Sequence, residues 1–264
     1  HEPSLTLVSP DGGEGWTAGS AHPITWKNTG TIADVKLEYS TNDGAAWTTI
    51  AASTPNTLSY DWTLPNVGSL SCLVRISDAA NAAVNDTSDA PFTISLPLGQ
   101  ALDNPGLTWE TGGAAAWLGQ SAVSYYGGSS ARSGPIMDEQ ATYIQTTVTG
   151  PGDLSFYWKV SSDGFFDDYL TFTIDGVEQH KIKGEVDWQQ KQYLVGPGTH
   201  TLKWTYSKGF SFSYGSDTAW LDKVTFTGVP AESITVVSPN GGESWASGTT
   251  AGIAWSSVSV SSAV

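Results

Sequence analysis

The twelve residues VSPDGGEGWTAG at positions 8–19 return as VSPNGGESWASG at 237–248, and the match continues without a gap through Ile24 and Ile253 and through Trp26 and Trp255. A paired glycine, a proline and spaced aromatics kept at one offset call for the same backbone twice. The glycines and proline fix the turns, and the aromatics fix which face is buried. A chain of 264 residues that begins one unit twice therefore carries a different stretch between the two copies.

LTLV at 5–8 leads into the first copy, and behind it come short runs separated by turn residues: PITW at 23–26, DVKLEYS at 34–40, AAWTTI at 45–50, SYDWT at 59–63, LSCLVRIS at 70–77 and APFTIS at 90–95. In DVKLEYS, Val35, Leu37 and Tyr39 share one face while Lys36, Glu38 and Ser40 share the other, the alternation of a half-buried antiparallel strand. Asn42-Asp43-Gly44 supplies the following hairpin turn. Seven such strands predict an immunoglobulin-like β-sandwich over 1–96. The second copy has room for two strands before position 264, too few for a sandwich. Residues 230–264 are thus expected to be the N-terminal fragment of a second such module.

The stretch VSP-[DN]-GGE-x-W, followed by I-x-W and by the Cys72-Leu-Val-Arg-Ile strand, resembles the Kre9/Knh1-type Ig-like domains of bacterial and fungal surface proteins. That resemblance covers 5–95 and 234–255. It implies a spacer or wall-associated module.

Between 97 and 229 the runs lengthen to ATYIQTTV, DLSFYWKV, DYLTFTI, VEQHKI, THTLKWTY and TAWLDKVTF. With shorter runs around Leu107–Trp109, Ala131–Ile136 and Trp188–Leu194 they predict eight to ten strands and no helix, a jelly-roll β-sandwich. The whole chain is read as all-β. The pattern ALDNPGLTW, GPGDLSFYWKVSSD, DDYLTFTIDG, GTHTLKWTYSK, GSDTAWLDKVTF resembles the jelly-roll modules of large secreted bacterial proteins, akin to MAM domains and to β-sandwich carbohydrate-binding modules. It departs from them at Asp163–Asp168 and Ser207–Asp217, which carry extra aromatics.

Strand parity places Asp222 with Val224 and Phe226, and Asp168 with Leu170, Phe172 and Ile174. A carboxylate on an apolar face costs several kcal/mol unless it is paired, hydrogen-bonded or metal-bound. A structural Ca²⁺, which takes six to eight oxygens, would satisfy both. The Leu-Asp-x-Val-x-Phe pattern is similar to one that places a calcium ligand in several carbohydrate-binding modules. By that likeness Asp222 and Asp103 are the first candidate ligands, with Asp217 and Asp168 behind them. The competing reading is that these aspartates cap turns through backbone N–H groups, or that a bulge shifts the register.

The loops SSDGFFDDY and SKGFSFSYGSD bring Phe165, Phe166, Phe210, Phe212 and Tyr214 into segments without regular structure. Sugar rings stack their C–H faces on aromatics while neighbouring polar groups bind hydroxyls, so these five, with the outward-facing Tyr157, are the candidate carbohydrate-binding residues. Alternatively, the loops seal the sandwich or a junction between modules.

There are 26 acidic residues against 11 basic ones, a net charge of −15, and such a surface repels nucleic acid and anionic lipid. No apolar run reaches the roughly 20 residues that span a bilayer. The opening HEPSLTLV lacks the regions of a signal peptide, so the chain is expected to be a mature or excised part of an exported protein. Cys72, the single cysteine, is expected to be a small buried hydrophobe. No HExxH, GxSxG or Walker sequence occurs, His22, His180 and His200 read as structural, and the acids Asp163, Asp167 and Asp168 as solvated or calcium-binding.

The resulting expectation is a non-catalytic, monomeric accessory region of a secreted or cell-surface bacterial protein. It would bind a polysaccharide or surface glycan and connect further domains of the same polypeptide. The rival readings are a structural spacer or protein-binding adhesin stalk and, behind it, a polysaccharide lyase or glycosidase.

Overall fold

The computed structural model describes residues 1–165, 167–210, 214–230 and 233–258. The fold is all-β, with one helical turn among the described residues. The first nine strands are β1 (Ser4–Ser9), β2 (Gly15–Thr17), β3 (Ala21–Thr29), β4 (Asp34–Ser40), β5 (Thr48–Pro55), β6 (Ser59–Thr63), β7 (Ser69–Asp78), β8 (Asn85–Thr87) and β9 (Phe92–Ser95). They make two sheets, β1-β3-β6 facing β2-β9-β7-β4-β5, with β8 added to β7. β2 runs parallel to β9 and closes the second sheet. Between the sheets lie Leu5, Leu7, Ile24, Trp26 and Trp62 from one side and Val35, Leu37, Cys72, Val74, Ile76, Phe92 and Ile94 from the other. The alternation read in DVKLEYS holds for Val35 and Leu37, both buried; Glu38, on the opposite face, is also covered and held by Lys36 at 2.7 Å and Arg75 at 2.8 Å.

A one-turn helix, α1 (Leu98–Ala101), leads into β10 (Trp109–Gly113), β11 (Leu118–Gln120), β12 (Ser130–Arg132), β13 (Ala141–Ser161), β14 (Tyr169–Ile174), β15 (Val177–Ile182), β16 (Glu185–Ser207) and β17 (Thr218–Gly228). Two of these strands are too long for one layer. β13 has 21 residues and β16 has 23, and each carries a Gly-Pro-Gly sequence, at 150–152 and 196–198. Proline donates no ladder hydrogen bond, and a side chain at Gly150 would collide with the Gly196 carbonyl, so both strands turn together there. The ladder slips between Gly150↔Gly198 and Gly152↔Val195.

Each long strand thus serves both layers. The first half of β13 and the second half of β16 pair with β10 and β14, and β15 extends β14. The other halves pair with each other and, through β13, with β17, which leads on to β12 and β11. Ile144, Leu170, Phe172, Leu202 and Trp204 meet Leu154, Phe156, Trp158, Leu221 and Val224 in a core of their own, where Phe156 stands edge-on to Trp204 at 5.1 Å. Runs expected as separate strands are therefore continuous.

Among the described residues the last strands, β18 (Ser233–Ser238) and β19 (Ala254–Val258), pair only with each other. Between the first sandwich and the central strands, Leu96 bridges Gly119, and Gly68 exchanges hydrogen bonds with Ser121, donating to its hydroxyl at 3.1 Å and accepting from its amide at 2.9 Å. Gly68 is required there, since a Cβ would lie 2.6 Å from the Gln120 Cα.

Candidate functional site

The expected aromatic rim is solvent-facing wherever it is described. Phe165 is 91% exposed, Phe210 81% and Tyr214 61%. Phe166 and Phe212 lie outside the described residues. Phe165 and Tyr214 come together across a cleft of about 640 Å³ whose other walls are Ser162, Asp163, Gly164, Gly184, Glu185 and Gly215. Phe210 is not among its walls.

The cleft is held by hydroxyls at the end of β13. The Ser161 hydroxyl donates to Glu185 Oε1 at 2.7 Å and accepts from the Ser216 amide at 2.8 Å, tying β13, β16 and the loop before β17 together. Gly215, at φ +72°, lies against both groups, and a Cβ there would sit 2.6 Å from Ser161 Oγ. The Ser162 hydroxyl donates to the Asp168 carbonyl at 3.1 Å and accepts from the Gly184 amide at 3.1 Å. The Asp163 carboxylate accepts from the Phe165 amide and so aims that ring outward. Of the three acids read as solvated or calcium-binding, Asp163 and Asp168 are buried and Asp167 is exposed.

The four candidate metal ligands fall into two separate groups. Asp222 is fully buried, but on the outer face of β17 and not in the core. Lys223 adopts φ +47° and the ladder to β13 slips between Ser155 and Tyr157, so a bulge reverses the parity between Leu221 and Val224. The inward placement read from the strand is corrected accordingly. Asp222 Oδ2 accepts from the amides of Tyr125 at 2.6 Å and Tyr126 at 3.0 Å, and Oδ1 is buried with no partner. Burial pushes its carboxyl up to about 6, against the pull of those amides, and the neighbouring Asp103 raises it further. Asp103 is itself raised by burial, opposed by the charge of Lys223 and by its contact with Asp222.

In the second group Asp168 accepts from the Gly209 amide at 2.8 Å, and Asp217 accepts from the Lys208 ammonium at 2.8 Å. Lys208 also reaches Asp138 at 3.3 Å. Burial works against the charge on Lys208, and the two carboxylates outweigh it, so its pKa is raised. Burial likewise raises Asp168 and the Tyr206 hydroxyl, each helped by the charge of Asp217. A lysine ammonium already supplies positive charge here. Among the described residues no group of three or more His, Cys, Asp or Glu side chains could hold a metal.

Tyr157 lies away from the loops, on the outer face of the sheet, where Tyr125 stacks on it at 3.7 Å and 13° and Trp188 stands 6.3 Å from Tyr125. A hydrogen bond to Tyr125 raises the Tyr157 phenol. Neither Tyr125 nor Trp188 was picked out from the sequence. The signal was present in Ser-Tyr-Tyr-Gly-Gly at 124–128, whose glycines both take positive φ. Three of the four histidines have local partners: His22 stacks on Trp16 at 4.4 Å, His180 meets Lys191 at 3.0 Å and His200 meets Asp175 at 2.7 Å. Cys72 is buried and free.

No protein-family model and no curated protein matches the chain, so the Kre9/Knh1-type and MAM likenesses rest on the quoted motifs alone. Among solved structures it is similar to the secreted serine protease VesC from Vibrio cholerae, at 11% identity over 85% of this chain with a TM-score of 0.39. The chain spans 51% of VesC. It is also similar to the K2 cleaved adhesin domain of Lys-gingipain (16% identity, 45% of this chain, 89% of that one, TM-score 0.33). A family 35 carbohydrate-binding module from Clostridium thermocellum aligns at 11% identity over 47% of this chain and 92% of its own, with a TM-score of 0.27. Superpositions this loose leave the reading of function to the chain's own residues. No helix among the described residues is long and apolar enough to cross a membrane.

Proposed function

We propose that this chain is a non-catalytic saccharide-binding region of an exported protein, holding its ligand in the Phe165–Tyr214 cleft. One observation carries the reading: two large rings on loops stand in solvent and face one cleft, with the acids Asp163 and Glu185 in its walls. Leaving an aromatic uncovered forgoes the stabilisation that burial would give, and two uncovered rings converging on one space are explained by a ligand that covers them. A pyranose offers an apolar face for the rings and hydroxyl donors for the exposed Glu185 carboxylate.

Calcium belongs to the same proposal as a structural ion. The unpartnered Asp222 Oδ1 beside the Asp103 carboxylate fits a hard cation, which would draw its remaining oxygens from backbone carbonyls and water. Bound there it would join α1 to β17 next to the Tyr125–Tyr126 turn.

Affinity electrophoresis through gels containing soluble polysaccharides tests the cleft. Wild type is expected to be retarded in at least one gel, and Phe165→Ala and Tyr214→Ala to migrate as in a blank gel. Equal mobility of wild type with and without every polysaccharide would overturn the reading in favour of a spacer. The hydrogen-bonded joint at Gly68 and Ser121 favours that rival.

A further inference from the structure

Two bulges flank one tyrosine. On β13, Tyr157, Lys159 and Ser161 lie opposite the buried Phe156, Trp158 and Val160. On one side the ladder passes from Trp158↔Gln189 to Val160↔Val186, so two steps along β13 match three along β16. The extra residue sends both Asp187 and Trp188 to the outer face, where Asp187 meets Lys159 at 2.7 Å and Trp188 approaches Tyr125. On the other side the passage from Ser155↔Thr225 to Tyr157↔Asp222 inserts one residue into β17. That insertion turns Asp222 outward to hold the Tyr125 amide, and with it the ring that stacks on Tyr157. A bulge costs ladder hydrogen bonds and re-aims side chains; here one on each neighbouring strand aims an aromatic at the same spot.

From this platform the outer face of β13 leads straight to the cleft. Tyr157 and Ser161 are four residues apart, about 13 Å along an extended strand and longer than any single pyranose ring. Ser161 bonds Glu185, which walls the cleft with Phe165 and Tyr214. Between the two aromatic stations lie Lys159 and Asp187, whose charges cancel each other.

We propose that the ligand is an extended, uncharged oligosaccharide lying along the outer face of β13, one end in the Phe165–Tyr214 cleft and the other against Tyr125 and Trp188. The proposal rests on the saccharide reading of the cleft and adds the length and charge class of the ligand. Two apolar stations separated by a polar stretch fit a chain that stacks at both ends and hydrogen-bonds between them. A polyanion would meet a chain of net charge −15 and a lysine already neutralised.

Isothermal titration calorimetry with cello-, xylo- and manno-oligosaccharides, from disaccharide to hexasaccharide, tests it. Affinity is expected to rise at least about tenfold with length and then level off, the gain of one further stacked ring. Tyr125→Ala and Trp188→Ala should abolish the rise and spare disaccharide affinity, Tyr125→Phe should keep it, and Tyr214→Ala should weaken every length. Circular dichroism melts confirm that each variant is folded. Affinity that does not grow with length, or a rise that survives in folded Tyr125→Ala and Trp188→Ala, overturns the track and leaves the cleft standing. Binding of no oligosaccharide by wild type overturns both.

Discussion

The two copies of the repeated segment have nearly the same backbone and opposite surroundings. Leu7↔Trp26 in β1 and β3 corresponds to Val236↔Trp255 in β18 and β19, and both ladders slip at the same place, before Ser9↔Thr25 and Ser238↔Ala254. Glu14 accepts from the amides of Asp11 and Gly12 at 2.9 Å, and Glu243 does the same for Asn240 at 2.8 Å and Gly241 at 2.7 Å. Yet Ile24 is 0% exposed and Trp26 3%, against 63% for Ile253 and 51% for Trp255. Trp16 stacks on His22 and packs at a tilt against Phe92, while Trp245 is exposed and position 251 is alanine. Local geometry is therefore a property of the segment, and stability is a property of what covers it. Fully burying one such side chain contributes about 1.5–3 kcal/mol, which the first copy collects and the second does not.

The sharpest way to break this comparison is to remove the same ring from each copy. Trp26→Ala is expected to cost about 3–5 kcal/mol and to lower the melting temperature of the first sandwich markedly in differential scanning calorimetry. Trp255→Ala should stay within about 0.5 kcal/mol. Equal losses would mean that the second copy is packed in solution.

Calcium should separate the central sandwich from both copies. At a hundredfold excess over its dissociation constant, bound Ca²⁺ adds about 2.7 kcal/mol, expected in the central transition alone. EGTA should reverse the shift, and Asp222→Asn should make the melt indifferent to either. A melt that ignores EGTA in wild type would remove the ion.

A smaller effect is expected from the turn carboxylates. Glu14→Ala leaves two amides without their acceptor and should destabilise the first sandwich by about 1–2 kcal/mol in urea titration. Glu243→Ala should leave the unfolding curve in place and alter only the Asn240 and Gly241 amide resonances.

The smallest effect is on acidification. The Asn240 amide, first among the turn's backbone groups, lowers the Glu243 pKa below its ordinary 4.5. A lowered carboxyl contributes order above its unfolded pKa and loses it as pH falls through the folded value. The Gly241 amide shift should therefore titrate with a midpoint below 4.5. A midpoint at or above 4.5 by NMR would contradict the turn geometry.

Legibility along the chain followed the regularity of the ladder. Where strands alternate without interruption, as in Val35–Leu37 and Phe156–Val160, the buried face was readable from the sequence. Asp168 was placed at the parity of Leu170 and is buried. One inserted residue defeats the same reasoning, because it flips every side chain beyond it. Lys223 does so for Asp222. The sequence shows Phe165, Phe210 and Tyr214 as loop aromatics among Ser, Gly and Asp but leaves open whether the loops bury or expose them, which the fold decides. The convergence of Phe165 and Tyr214 with Glu185 is not legible either, because Glu185 enters from a different strand.

By itself the sequence determined what depends on near neighbours: strands from alternation, turns from glycine and proline, a repeated segment with a repeated backbone. Only the tertiary structure decided where two long strands bend from one layer into the other and which aromatics share a surface. Those outcomes hinge on contacts between residues far apart in the chain and on single-residue slips of the ladder, neither of which leaves a local signature.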